Sequence, residues 1–431
     1  MPDKCDRCGI TTNAQEGFAK ERRLFRNTMR TLCPHCWQRW RATVNGWMFL
    51  LQFAMGPIGL IILSRRPDDH TGWFLLNAFF FQVFLAISIA PHELAHALVA
   101  KCVGWRVFKI YMGSGKAVWK TKLFGIDTEF RPVPANGLVL AAPPTLHHYR
   151  RKMCAFALAG PTANLVVAYV AFAFLGGTMS QFMAIGERCL PVQMLLLANL
   201  LLAIVSLAPW KFQTAWGKQP TDGLKLWQTI RTNLRVAVHH AAWFMLEGSD
   251  CREKGRDEEA VRWFEKGLQA YPEDTGLLNW HGISLLDVGK FTEARECFVK
   301  LLARTGTAPL IHSMIKNNIA YADALLGRSD LLEEADRYSL EAMASIAWHP
   351  AIKGTRGTVL ATLGRYDEAV PLLRDAMKEH DSPRSKAANA CWLAIAESKR
   401  GNPTAARAYF DEAKKLDSTC LWLERAQSAL T

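Results

Sequence analysis

An apolar run from Trp73 to Ala100 carries Pro91-His92-Glu93-Leu94-Ala95-His96 near its end. A segment of this length can cross a bilayer as one helix, and ionisable side chains inside it are costly unless they are partnered or used. In His-Glu-x-x-His the imidazoles stand four residues apart. On a helix that puts them on one face, one turn apart, where both can grip a single cation. Glu93 follows the first of them directly and is placed to reach a water beside the cation rather than the cation, as metal-assisted peptide hydrolysis requires. A chance match, with the two imidazoles merely hydrogen-bonded inside a helix packing, is disfavoured by the apolar setting.

Three further apolar runs are long enough to span: Gly46–Leu63, Met153–Leu175 and Val192–Trp210. Gly56-Pro57 lies inside the first, a break that membrane helices tolerate. The expected fold class is therefore mainly α, with a polytopic membrane core of about four spans. The net charge of +13 is compatible with nucleic acid, but Lys and Arg flank the apolar runs, which favours membrane orientation. Residues 1–44 hold nine Lys/Arg against four Asp/Glu, and residues 101–152 hold ten against two. The positive-inside rule then expects a multi-pass protein whose N-terminus, 101–152 segment and C-terminal half are cytosolic, as in a bacterial cytoplasmic membrane. No leader is expected, because the first apolar run starts near Gly46 behind a polar segment.

That polar segment, residues 1–44, contains Cys5-Asp-Arg-Cys8 and Cys33-Pro-His-Cys36. Each pair can offer two thiolates to one metal, and two pairs complete a tetrahedral site, so a zinc-ribbon-like fold is expected. A segment this short has almost no core, and the metal would supply its folding energy. The other seven of the eleven cysteines are scattered, which fits a reducing compartment better than a disulfide framework.

Residues 104–134 read as β rather than as a span. Gly113-Ser-Gly115 breaks the first strand, two strands flank Gly125 as a hairpin, and Pro132 and Pro134 end the sheet or mark its edge. Such a sheet at the membrane interface can accept an extended peptide as an added strand, or serve as a structural ribbon. Gly160-Pro161-Thr-Ala-Asn164 lies in the third span, where Asn164 either donates to a developing oxyanion or joins two helices. Thr221-Asp222-Gly223, taken alone, is a turn. His147-His148 and His239-His240 are read as solvated pairs.

From about residue 236 to 431 the chain repeats. Gly255, Gly289, Gly364 and Gly401 are followed five residues later by Ala260, Ala294, Ala369 and Ala406, and then by Phe264, Phe298, Leu373 and Phe410. Gly327 with Ala335 is a looser fifth copy. This spacing is that of tetratricopeptide repeats, an α-solenoid whose concave face takes a peptide or protein partner.

His92-Glu93-x-x-His96 in one span, Gly160-Pro161-x-x-Asn164 in a later one and Asp222-Gly223 after another resemble the site-2 protease family of intramembrane zinc metalloproteases, over roughly residues 73–226. The resemblance implies a core at residues 45–235 in which His92, His96 and Asp222 bind the catalytic zinc and Glu93 activates water. It implies too that Asn164 helps hold the substrate or its oxyanion. Two departures stand out: Ser206 precedes Pro209 where the family often has Asn, and Trp210–Gln219 are inserted before the Asp-Gly turn. The expected function is hydrolysis of peptide bonds in or near a transmembrane segment of a membrane-protein substrate. The cofactors would be one catalytic zinc and one structural zinc on Cys5, Cys8, Cys33 and Cys36, with no nucleic acid as partner. The alternatives are a catalytically inactive membrane-anchored scaffold and a metal transporter; the scaffold has no use for Glu93, and the transporter needs more polar residues along the spans.

Overall fold

The computed structural model describes residues 3–7, 11–12, 19–22, 29–175, 185–214, 217–231, 236–304, 309–347, 349–380 and 382–430. The chain divides into two compact units, Met1–Trp40 with Glu247–Thr431, and Arg41–Leu246. At the N-terminus, β1 (Asp3–Lys4) pairs antiparallel with β2 (Thr11–Thr12), and β3 (Ala19–Arg22) with β4 (Met29–Leu32). Cys5, Cys33 and Cys36 are buried together beside Leu32, with the Cys33 amide donating to Cys5 Sγ at 3.3 Å. Cys8 lies outside the described residues.

In Arg41–Leu246 the helices α1 (Pro34–Arg65) and α2 (His70–Cys102) are joined by a short turn, and Asp69 caps α2 by accepting from Thr71 and Gly72 amides. Pro57 and Pro91 lie inside these helices without ending them. Small residues let the pair approach closely: a methyl on Gly59 would stand 2.8 Å from the Gly72 carbonyl oxygen.

The strands β5 (Arg106–Ser114), β6 (Trp119–Leu123), β7 (Ile126–Phe130) and β8 (Val133–Ala142) form one sheet in the order β6-β7-β5-β8. The expected hairpin is present, turning at Phe124-Gly125 with φ of 50° and 77°, the two left-handed residues that a tight hairpin turn requires. The sheet runs further than expected, however. β8 continues to Ala142 and pairs antiparallel with β5 as an edge strand, which is why Pro134 is tolerated within it. Ala97, Ala100, Trp105, Ile110, Val139, Met153 and Phe156 form one core, so the sheet is fixed to the end of α2 and the start of α3 (Tyr149–Phe174).

Among the described residues two helices, α2 and α3, are long and apolar enough to cross a membrane. Two of the four expected spans are thus supported. α4 (Pro191–Leu207) has 17 residues, and α1 contains the whole of the first apolar run, Gly46–Leu63, within its 32 residues. The fourth run stops at Leu207 because Pro209 and a hairpin follow. That hairpin, β9 (Lys211–Thr214) with β10 (Gly217–Pro220), is the inserted segment, and α5 (Asp222–Arg231) starts directly after it.

The repeat helices run from α6 (Val236–Glu253) through α7 (Asp257–Ala270), α8 (Thr275–Asp287), α9 (Phe291–Arg304), α10 (Pro309–Leu326), α11 (Ser329–Ile346), α12 (Pro350–Thr362), α13 (Tyr366–Glu379), α14 (Pro383–Lys399) and α15 (Pro403–Leu416) to α16 (Leu423–Leu430). Gly255, Gly289, Gly327, Gly364 and Gly401 all have positive φ and turn one helix into the next. The alanines at the expected seams are fully buried, including Ala335 of the loose copy. Gly282 faces the Phe298 ring and Gly357 faces Leu373, a small-against-large interlock. Phe298 is completely buried, so Phe298→Ala is expected to destabilise the repeats by about 3–5 kcal/mol, seen as a lower denaturation midpoint of their transition.

Candidate metal centre and active site

The motif helix α2 turns His92 and His96 toward α3 and α5. Their Nε2 atoms lie 3.2 Å apart, and Asp222 Oδ2 arrives 3.2 Å from the first and 3.3 Å from the second. These three ligand atoms are the corners of a nearly equilateral triangle. Zinc bound tetrahedrally at ~2.0–2.1 Å separates its ligand atoms by about 3.3 Å, so the triad fits that ion with one side open.

Both imidazoles are oriented from behind. His92 Nδ1–H donates to Asn164 Oδ1 at 2.6 Å, and His96 Nδ1–H donates to the Phe156 carbonyl at 2.7 Å. Each bond leaves Nε2 unprotonated and facing the triad, as a metal ligand must be. Asn164 is itself held: its amide donates to Asn199 Oδ1 at 2.9 Å and to the Ser88 carbonyl at 3.4 Å, and Asn199 donates to Ser88 Oγ at 2.9 Å. Ser88, Asn164 and Asn199 come from α2, α3 and α4, and all three are buried. The expectation of Asn164 as an oxyanion donor therefore meets a different geometry. Its amide hydrogens point into the helix packing, and its oxygen serves His92.

Asp222 opens α5. The hydroxyl of Thr221 bonds the Ala208 carbonyl at 2.6 Å and lies 3.3 Å from the Leu224 amide, fixing the start of α5 to the end of α4. Gly223 has no room for a side chain, since a Cβ there would stand 1.7 Å from the Leu207 carbonyl oxygen. Burial works against ionisation of Asp222, but the Lys225 ammonium beside it outweighs this and holds the carboxyl well below the usual range.

Glu93 is 7% exposed and lines a cavity of about 320 Å³ together with both imidazoles, Asp222 and Lys225. The remaining walls are largely apolar and include Ile89, Leu138, Val139, Leu202 and Trp210. The backbone of β8 passes directly over Glu93: a Cβ on Gly137 would lie 2.3 Å from Glu93 Cγ. A Cβ on Gly160 would lie 2.4 Å and 2.5 Å from the two Nε2 atoms. Both glycines are thus places where only a bare backbone fits.

His92, Glu93, His96 and Asp222 converge, and Asn164 stands one bond behind them. Cys5, Cys33 and Cys36 converge separately, with ligand atoms within 4.8 Å of one another. Sequence reasoning missed Ser88, Asn199, Lys225 and β8. Asn199 was findable as an amide inside an apolar run, and Lys225 as a cation one turn after Asp222.

A triad of metal-ligand type is thus carried by a helix long enough to span a membrane and closed by a carboxylate from a later turn. The profile of peptidase family M50 matches residues 80–369, more than half of the chain, and the chain belongs to that family. A tetratricopeptide-repeat profile matches residues 355–419. Among curated relatives, the regulator of sigma-E protease RseP of Escherichia coli K12 is 29% identical over 179 residues, 37% of this chain and 37% of that one. Protease RseP of Yersinia pestis is 34% identical over 123 residues, 25% of this chain and 27% of that one. The chain thus spans only about a quarter to just over a third of the length of these relatives. Similar solved structures include a thermophilic TPR protein of Thermus thermophilus, 25% identical, covering 44% of this chain and 98% of that one with a TM-score of 0.36. MamA is 20% identical, covering 41% and 92% with a TM-score of 0.28.

Proposed function

We propose that this chain is an intramembrane zinc metalloprotease of site-2 type that hydrolyses peptide bonds in or near transmembrane segments of other membrane proteins. The observation that carries the reading is the arrival of Asp222 Oδ2 within 3.3 Å of both Nε2 atoms. His92, His96 and Asp222 hold the ion, which when bound acidifies water and polarises the scissile carbonyl. Glu93, facing the same cavity, takes the proton from the attacking water and returns it to the leaving amine. Asn164, backed by Asn199 and Ser88, keeps His92 in the tautomer that presents Nε2.

A substrate helix shields its peptide bonds with its own hydrogen bonds and has to unwind first. The edge of β8 left unpaired among the described residues, with Asn136, Gly137 and Leu138 along the cavity, is the element against which the unwound stretch lies as an added strand. The apolar walls suit side chains from a membrane segment and exclude bulk water.

Cys5, Cys33 and Cys36, with Cys8 as the fourth ligand, hold a second, structural zinc. In the repeats a groove of about 800 Å³, lined by Asn279, Asn317, Tyr321, Asn389 and Trp422, receives a protein or peptide partner that brings substrate or regulates cleavage. The protein is multi-pass, with both termini cytosolic.

The test is zinc content and cleavage measured together. The purified wild type is expected to carry two zinc ions and to cut single-span membrane proteins presented in detergent. Asp222→Ala is expected to retain only the cysteine-held zinc and to release no product. Undiminished cleavage by Asp222→Ala would remove the mechanism.

A further inference from the structure

The two oxygens of Asp222 have different partners. Oδ2 faces both imidazoles, at 3.2 and 3.3 Å, whereas Oδ1 accepts from Lys225 Nζ at 3.0 Å. Lys225 sits one turn later on α5, its side chain 31% exposed while that of Asp222 is 8% exposed. Its ammonium reaches back from the rim of the cavity to a nearly buried carboxylate. The same Nζ lies 5.9 Å from the ring of Phe156, and the Phe156 carbonyl is the group that orients His96. Lys225 therefore touches one member of the triad and packs against the residue that aims another.

We infer that Lys225 is a positioning residue of the metal centre, which occupies Oδ1 and so restricts Asp222 to a single oxygen toward the ion. The inference rests on the metalloprotease reading above. A carboxylate free to swing can present both oxygens to a metal. A second oxygen from Asp222 would take up the open side of the triangle, the side that water and the scissile carbonyl need. Tying Oδ1 to a cation within the same helix turn prevents this, and the tie travels with the ligand because both residues are on α5. Partners of ligating carboxylates commonly set metal affinity and geometry in this way.

An ordinary i,i+3 ion pair on a helix would support only the helix. The two roles are separated by measurements on the metal itself. The full-length chain in detergent is stripped of metal and titrated with zinc against a chromophoric chelator, then with cobalt(II), whose visible absorption is strong when four-coordinate and weak when five-coordinate. Asp222→Ala supplies the baseline that identifies this site against the cysteine site. Lys225→Met is expected to weaken the visible cobalt band at this site, as the freed Oδ1 adds to the coordination. Lys225→Arg, which keeps a charged donor, is expected to restore the band in large part.

Circular dichroism and elution volume report whether Lys225→Met is folded. Should it aggregate, Lys225→Gln takes its place with the same expectation of a shifted cobalt spectrum. An unchanged cobalt spectrum in the folded variant overturns the inference and leaves the metalloprotease reading standing. A wild type that binds no metal sensitive to Asp222→Ala overturns that reading, and the inference with it.

Discussion

Glu93→Ala is expected to keep both zinc ions and to lose proteolysis, with turnover of a single-span substrate down by about 10²–10⁴-fold. The magnitude is that of removing a general base positioned in the transition state, with nothing else in the site to take over. Asp222 is committed to the triad, and both imidazoles use Nδ1 for bonds to Asn164 and Phe156. Glu93 makes none of the contacts that hold the triad together, so metal binding survives its removal. Its side chain lies beneath β8 at Gly137 and lines the same cavity as the triad, where a proton has to be taken from water and handed on. Metal analysis and a cleavage assay on the same preparation check this. Retained cleavage would favour a scaffold whose metal site does no chemistry.

Gly160→Ala is expected to have the second large effect, loss of the triad's zinc together with activity. Alanine is the better helix former by about 1 kcal/mol, so α3 gains intrinsic helix stability. The added methyl nevertheless stands 2.4 and 2.5 Å from the two Nε2 atoms, closer than any non-bonded carbon and nitrogen approach. Either imidazole must then turn away, breaking its bond to Asn164 or Phe156 and taking Nε2 off the triad. Metal content is the readout: one zinc per chain, held by the cysteines, against two in the wild type. A Gly160→Ala protein with two zinc ions would show that α3 can shift without disturbing the imidazoles.

The parts of this architecture legible in the sequence are those whose chemistry is local. His92, Glu93 and His96 belong to one helix, so their spacing alone aligns them. The repeats announce themselves because the pattern of Gly289, Ala294 and Phe298 recurs every 34 to 38 residues, and its burial follows the same register. The Cys-x-x-Cys pairs are visible for the same reason, and Cys5, Cys33 and Cys36 do come together.

What escaped was whatever depends on a distant partner. Nothing in residues 220–223 says which groups the Asp222 carboxylate will meet; the likeness to a known family suggested it. Asn164 was conspicuous as an amide in an apolar run, but the direction of its hydrogen bonds is set by Asn199 and Ser88 on two other helices. The strand β8 was missed because Pro134 and Gly137 argue against a strand. Its edge position excuses the proline, and the approach of Glu93 demands the glycine. The end of the fourth apolar run was not legible because such a run does not reveal where its helix stops, and α4 ends at Leu207, ahead of Pro209.

The claim on which the rest depends is that one zinc ion is held by two imidazoles and a carboxylate that are far apart in sequence. Zinc-edge X-ray absorption on the wild type and on Asp222→Ala, compared as a difference, tests it most directly. The account expects the zinc lost with Asp222 to have only nitrogen and oxygen neighbours, at about 2.0–2.1 Å. A difference spectrum showing sulfur neighbours, or no zinc lost at all, would contradict it.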